Sequence, residues 1–314
     1  CTGRTYCQVG SFDSLDLGYV VETTLSKNPN IKLKEQDVIT AKGTYLSGYG
    51  AFDPYFTAGL NFNRVFSPEY SNDILISPLI QTSNVTMGLA KPFDWGGILS
   101  LQLQMTRTFD STDNPCVPNI ATIGVQFELP LLRGLGESGT AGDVLSDKYS
   151  LQAEQKDYLY TVSGEILNSI QGYWNYLAAK RNYEIIGTSL GLAEEFYSVN
   201  SGSNDISTLQ ATISQKRIDL SNAQQDLYTA RHTLGLSMGI DNDEIESLPL
   251  PRGGGFLMEE VLLPDSSFIM NISVNNAVEV AFRNRQDYLA SLDRITASDY
   301  EVRKTQNGTL SELD

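Results

Sequence analysis

The segment Gly134-Leu135-Gly136-Glu137-Ser138-Gly139 has the spacing of a loop that cradles a dinucleotide pyrophosphate, and it follows a strand-like run and precedes a helical one. Its context denies it that chemistry. The preceding strand alternates and runs into Pro130, whereas a central parallel strand reads continuously apolar and avoids proline. The following helix is several times longer than a crossover helix, and no next strand ends in the required acidic residue. A lysine-type phosphate loop is excluded as well, because Gly139-Thr140 carries no lysine. The glycines read instead as a flexible exit from strand to helix. His232, the only histidine, has no serine or cysteine partner in view and reads as a packed or surface residue. Asp241-Asn242-Asp243-Glu244 begins like a calcium loop but lacks its turn glycine and closing glutamate, so a solvated helix end is the better reading.

Asn84-Val85-Thr86, Asn271-Ile272-Ser273 and Asn307-Gly308-Thr309 match the glycosylation acceptor pattern, which is short enough to arise by chance. Helical packing accounts for Tyr173-Trp174-Asn175-Tyr176. Cys1, Cys7 and Cys116 make no metal spacing, and their odd number leaves one unpaired within the chain. Cys1 is a possible lipidation site, the acylated start of a mature lipoprotein; an arbitrary cut would leave the same residue first. No catalytic, cofactor-binding or metal-ligating constellation can be assembled, so the expectation is a protein that is not an enzyme and needs no cofactor.

The elements that would position any such residue carry more information. A charged fraction of 19% is low and mean hydropathy is only −0.20, so a sizeable core is feasible. A net charge of −16 argues against nucleic acid as a partner, and fits an acidic solvated surface or an electronegative lumen. No run approaches the roughly 18 apolar residues of a membrane-spanning helix, so strands would have to carry any membrane role. Those strands are legible. Phe56, Ala58, Leu60 and Phe62 alternate with polar residues within Pro54–Phe66, and Ile123, Val125 and Phe127 do so within Ala121–Leu129. Val85–Phe93 and Ile98–Phe109 show the same period. Such alternation suits a barrel wall, and an ordinary half-buried sheet equally.

The helices weigh against the ordinary sheet. A first helix from Leu15 to Ser47 should kink or split at Pro29. From about Asp143 to Asn200 there is no proline, which predicts a helix on the order of 85 Å long. After the polar turn Ser201-Gly202-Ser203-Asn204, a return helix carries Ile206, Leu209, Ile213, Leu220, Ala223 and Leu227 at three–four spacing, the signature of an antiparallel coiled coil. The opening helix then recurs: Ile39-Thr40-Ala41 reappears as Ile295-Thr296-Ala297. The sequence thus divides into an N-terminal segment (1–14), a first-repeat helix (15–50), a hairpin region of alternating strands (51–133), a long helical hairpin (134–240), a linker (241–266) and the start of a second-repeat helix (267–314). The second copy stops where its strands should begin, and the expected fold is mixed α and β, truncated within the second repeat.

Taken in order, several segments resemble the TolC-like outer-membrane efflux protein family. Thr24-Leu25-Ser26-Lys27-Asn28-Pro29 is similar to its opening helix, and Gly50-Ala51-Phe52-Asp53-Pro54 to its entry into the first hairpin. Phe127-Glu128-Leu129-Pro130-Leu131-Leu132-Arg133-Gly134 resembles the exit, Tyr173-Trp174 and Leu234-Gly235 fit the long helical pair, and Ala281-Phe282-Arg283-Asn284-Arg285-Gln286-Asp287-Tyr288 the second repeat. The resemblance implies a homotrimer whose protomers share a β-barrel in the outer membrane and build a periplasmic tunnel from antiparallel helical hairpins. An inner-membrane transporter and a periplasmic adaptor would dock on that tunnel, and substrates would pass unchanged. Phe56, Leu60, Phe62, Ile123, Val125 and Phe127 would then face lipid. Ser198, Asn200, Ser201, Gly202, Asn204 and Asp205 would form the helical tip that meets the adaptor. The pair between Asn84 and Phe109 exceeds the family's two strands per repeat and is expected to be an extracellular extension. Gate residues belong to the half not present here. The competing expectation is a structural or adhesive surface protein with a sheet head and a coiled-coil spike.

Overall fold

The computed structural model describes residues 15–66, 69–71, 74–76, 79–110, 119–199, 206–252 and 273–312. Cys1, Cys7, Cys116, the tip residues Asn200 to Asp205 and the sequon at Asn271 lie outside the described residues. Helix α1 (Leu17–Lys27) and helix α2 (Pro29–Tyr49) are separated at Asn28. A short 3-10 turn, Gly50–Phe52, leads into strand β1 (Tyr55–Phe66). A ribbon of β2 (Glu69–Ser71) and β3 (Ile74–Ile76) precedes β4 (Leu79–Pro92), β5 (Ile98–Asp110) and β6 (Ile120–Glu128). The short α3 (Glu137–Thr140), the 58-residue α4 (Gly142–Val199), α5 (Ile206–Met238), α6 (Asn242–Glu246), α7 (Val274–Asn284) and α8 (Gln286–Gly308) complete the chain.

The split at Pro29 has a local cause. Proline forces its predecessor into extended backbone, and Asn28 sits at ψ 124°. Proline then occupies the first helical position, where its missing N–H costs nothing. The Asn28 side-chain oxygen caps α2 by accepting from the N–H groups of Asn30 (2.8 Å) and Ile31 (3.2 Å). The second repeat has the same break without proline. Helices α1 and α7 are both 11 residues long, and Arg285 ends α7 at ψ 112°. Aligning the breaks pairs Asn28 with Arg285, one residue out of step with the Ile39–Ile295 match. Where Asn28 caps with an amide, Arg285 clasps Asp287 (Nη2–Oδ2 2.6 Å), a bond that holds the Asp287 carboxyl below its usual range.

The chain forms two compact units. In one, residues up to Val38 and from Glu154 to Leu289, α4 and α5 pair antiparallel. Ser169 donates to the Ser237 carbonyl, Arg217 binds Glu194 at 2.9 Å and Gln210 donates to the Tyr197 hydroxyl, so partners run in opposite directions along the two helices. A core of Leu15, Val20, Tyr173, Tyr176, Leu234 and Met238 seals the base of this pair. Residues 241–252, which composition assigns to a linker, belong to that core. Ile245 of α6 is fully buried, and Leu15 forms an isolated bridge with Pro251, donating its N–H to the Leu250 carbonyl (3.1 Å). Asp243 and Glu244 lie in the first turn of α6, with Glu244 paired to Lys27 at 2.7 Å.

The other unit, residues 39–153 with 290–314, carries the sheet. The glycine segment makes its strand-to-helix exit here. Gly134 and Gly136 adopt φ of 86° and 83°, a region costly for other residues. Gly134 donates its N–H to the Asn307 side chain (2.7 Å), and Gly136 to the Trp95 carbonyl (3.0 Å). The loop's amides are thus consumed by the fold, and so is the Asn307 sequon. Alongside, Tyr149 stacks on Tyr300 with ring centres 5.5 Å apart, and Ser146 donates to Glu301. Asp147 lies between these elements, half-buried, and burial together with the charges of Asp143 and Glu301 holds its carboxyl above the usual range. The folded state therefore binds its proton more tightly than the unfolded chain, and the stability this contributes is lost as pH rises through the raised value. Asp147→Asn is expected to stabilise this unit at neutral pH by roughly a few tenths of a kcal/mol, the scale of solvent-screened charges, with no gain at pH below the ordinary Asp range. Denaturation midpoints of both proteins across pH check this.

Candidate functional site

The sheet is ordered β1-β4-β5-β6, antiparallel throughout. Strands β4 and β5, expected as an extracellular extension, are instead its central pair, between the two strands that the first repeat needs. Alternation tells a strand which face each residue takes but not which neighbour it pairs with, so only the register could place them. β4 also begins at Leu79, earlier than the clean alternation from Val85.

Register sorts the side chains onto two unlike faces. On one, Phe56, Leu89, Leu101 and Val125 form a row; Ala58, Met87, Leu103 and Ile123 form the next, and Leu60, Val85, Met105 and Ala121 a third. Leu99 and Phe127 extend this face toward the helical end, and Phe62 extends it away. The opposite face reads Thr57, Gly88, Gln102, Gly124, then Gly59, Thr86, Gln104, Thr122, all uncharged. This polar face holds a groove of about 490 Å³ lined in part by Tyr55, Ser100, Gln102, Gln104 and Gln126.

Among the described residues, none covers either face. Every residue of β1 and β6 is exposed, including Phe56, Leu60, Phe62, Ile123, Val125 and Phe127 at 56–74%. The three full rows span about 19 Å across four strands, and with the flanking rows the apolar face runs about 27 Å along them. An apolar patch on the order of 500 Å² is of the size at which exposed patches are often functional. Charge sharpens the boundary. From Tyr55 to Asn63, Leu79 to Ala90, Ile98 to Thr106 and Ile120 to Phe127 there is no charged residue. Lys91 and Glu128 stand at the helical end, Arg64 and Arg107 at the far end. Aromatic residues rim both limits. Phe93 stacks on Trp95 (5.2 Å) and Trp95 reaches Phe127 (6.0 Å) at the helical end, while Phe62, Phe66 and Phe109 lie exposed at the other. Sequence periodicity found the faces but not these limits. Their signal was the lack of charge in four separate segments.

The other sequence candidates do not converge on a site. His232 packs its ring 4.7 Å from that of Tyr228 on α5. Tyr173 and Tyr176 are buried in the helical core. Ser198 is the only one of the six tip candidates among the described residues, near the end of α4, where its hydroxyl donates to the Glu195 carbonyl.

No protein-family model matches the chain, and no curated protein matches its sequence significantly. Solved structures do match. The chain is similar to the CmeC outer membrane channel of Campylobacter jejuni, with TM-score 0.62 and 16% identity over 94% of this chain and 53% of that one. The open state of the MtrE outer membrane channel of Neisseria gonorrhoeae matches with TM-score 0.60 and 14% identity over 98% and 60%. CusC, described for its folding and transmembrane channel formation, matches with TM-score 0.61 and 12% identity over 98% and 63%. The chain thus spans between half and two thirds of the length of these channels. An exposed two-faced sheet joined to a long antiparallel helical pair is the fold of the TolC-like outer-membrane channels, and this chain has that fold.

Proposed function

We propose that the chain is part of the subunit of an outer-membrane channel, a passive conduit in efflux or type I secretion through which small molecules or proteins leave without chemical change. The observation that carries this reading is the apolar face of the sheet, whose three inner rows hold no charge and whose two end rows are marked by Lys91 and Arg107. Tilted at 35–45° in a barrel, its roughly 27 Å of strand gives a band about 21 Å tall, close to that of outer-membrane barrels. Phe56, Leu60, Phe62, Ile123, Val125 and Phe127 face lipid, and the glutamine and threonine face lines the lumen. A second and third copy of the protein complete the ring, since β1 and β6 both leave edges that a closed barrel must pair. The helical pair extends into the periplasm, where its tip meets an adaptor that links it to an inner-membrane transporter.

Two measurements test this reading. The purified protein, reconstituted in planar bilayers, should conduct ions and should run as a detergent-resistant trimer; a water-soluble monomer without conductance would favour the adhesive spike. At the tip, placing a lysine at Ser198, Ser201 or Asn204 should abolish cross-linking to the adaptor while leaving the trimer intact. Unchanged cross-linking in all three variants would remove the tip from the adaptor contact.

A further inference from the structure

The two arginines at the far end of the sheet have no role in the reading above. Arg107 shares the row of Phe62 and Ser83, and Arg64 the next row with Gln81 and Phe109, so both stand on the apolar face at its far end, just past the three complete apolar rows. Both are exposed, and neither forms an ion pair with any described residue. In a chain of net charge −16, two cations without an ion-pair partner among the described residues stand together on one face of one sheet end. Two strands and one row apart, their Cα atoms are separated by roughly 12 Å, within the reach of two long side chains toward one headgroup.

We infer that Arg64 and Arg107 form a binding site for the phosphate of an anionic lipid in the outer leaflet, an inference that rests on the sheet being a membrane wall. The helical end of the sheet, with Lys91 and Glu128, would then meet the inner leaflet. Lys91 is occupied there, its ammonium donating to the Phe52 carbonyl at 2.5 Å, whereas Arg64 and Arg107 have no ion-pair partner among the described residues. A guanidinium presents a planar fork that matches phosphate oxygens bidentately, and its stem lies along apolar surface while its head reaches the headgroup layer. Phe62, one row inward of Arg64, supplies apolar contact for the acyl chains beneath the phosphate, while Phe109 in the row of Arg64 and Phe66 in the next row out lie exposed beside the pair.

The test uses the assembled protein in phosphatidylcholine vesicles doped with bisphosphorylated lipid A, followed by detergent exchange and measurement of lipid A retained per protomer. The wild type should retain it, R64Q/R107Q should retain at least about tenfold less through loss of two cationic contacts at the membrane surface, and R64K/R107K should fall between. Vesicle flotation must be equal for all three, since rim positions leave the barrel wall intact. Retention by R64Q/R107Q equal to the wild type overturns the arginine site. Displacement of lipid A by inorganic phosphate alone overturns the lipid as its ligand. Failure of the wild type itself to float with phosphatidylcholine vesicles overturns the membrane reading, and this inference with it.

Discussion

Ile123→Arg should abolish recovery of the assembled protein from the outer membrane, while Gln104→Arg should leave assembly intact. The two positions lie on neighbouring strands and neighbouring rows but on opposite faces: Ile123 pairs with Leu103, and Gln104 with Thr122. Ile123 sits in the middle of the three complete apolar rows and is 74% exposed. An arginine at the midplane of a barrel's lipid face costs about 2–4 kcal/mol, falling toward nothing at the rims. In the proposed ring, three copies bring the total to the scale of the whole stability of a protein, about 5–15 kcal/mol. Gln104 faces the groove beside Gln102, with the charged Glu128 at the groove's helical end, and an arginine there stays hydrated. There it should turn the conductance toward anions, read as a shift in reversal potential under a salt gradient. The depth argument adds an internal control, because Phe127→Arg, in the row of Lys91 at the helical rim, should cost far less than Ile123→Arg. Equal assembly of Ile123→Arg and Gln104→Arg would show that this face does not meet lipid.

How far the sequence could reach depends on which physical rule each element obeys. The long helices were legible because absence of proline and a sustained three–four stripe are local signals, and the split at Asn28–Pro29 because proline's constraint is local too. The faces of β1 and β6 followed from strict alternation. Placement did not follow, because the partner of a strand is a non-local property; β4 and β5 looked like an appendage and are the middle of the sheet. The first half of β4, with Gln81, Thr82, Ser83 and Asn84, lacks apolar alternation and is held by pairing with β1 and β5 instead. The same limit hid Ile245. Its neighbours Asp241, Asn242, Asp243 and Glu244 read as a solvated helix end, and only the fold shows that this one side chain turns into the core against Gly235. The duplication was visible, but one residue out of step, since a repeated apolar triplet inside a helix fixes register less firmly than the break that starts it.

The second large effect is expected at Gly239, which no motif marks. Gly239 follows the last turn of α5 at φ 76° and closes it: its N–H bonds the Leu236 carbonyl (3.1 Å) and the Ile240 N–H bonds the Gly235 carbonyl (3.2 Å). That is the glycine-dependent C-terminal cap of a helix. The next open carbonyl, that of Ser237, accepts from the Asn28 amide (2.8 Å) and from the Ser169 hydroxyl (3.2 Å), while the other end of the Asn28 amide caps α2. The end of α5 and the α1–α2 break are thus fastened to each other at van der Waals distance. A Cβ on Gly239 would lie 2.6 Å from Asn28 Cα, 2.8 Å from the Lys27 carbonyl oxygen and 2.8 Å from Pro29 Cδ. None of these is a flexible side-chain end, so the seam must open. Gly239→Ala combines a left-handed backbone penalty of about 1–2 kcal/mol with that separation, and the expected loss is more than about 3 kcal/mol. Gly164→Ala is the contrast. It lies within α4 with nothing near its Cβ, so it should stabilise by about 0.5–1 kcal/mol through helix propensity alone. Denaturant midpoints of the two variants, followed by helical circular dichroism, decide the matter. A Gly239→Ala midpoint within error of the wild type would mean that α1 and α5 are not fastened through this glycine.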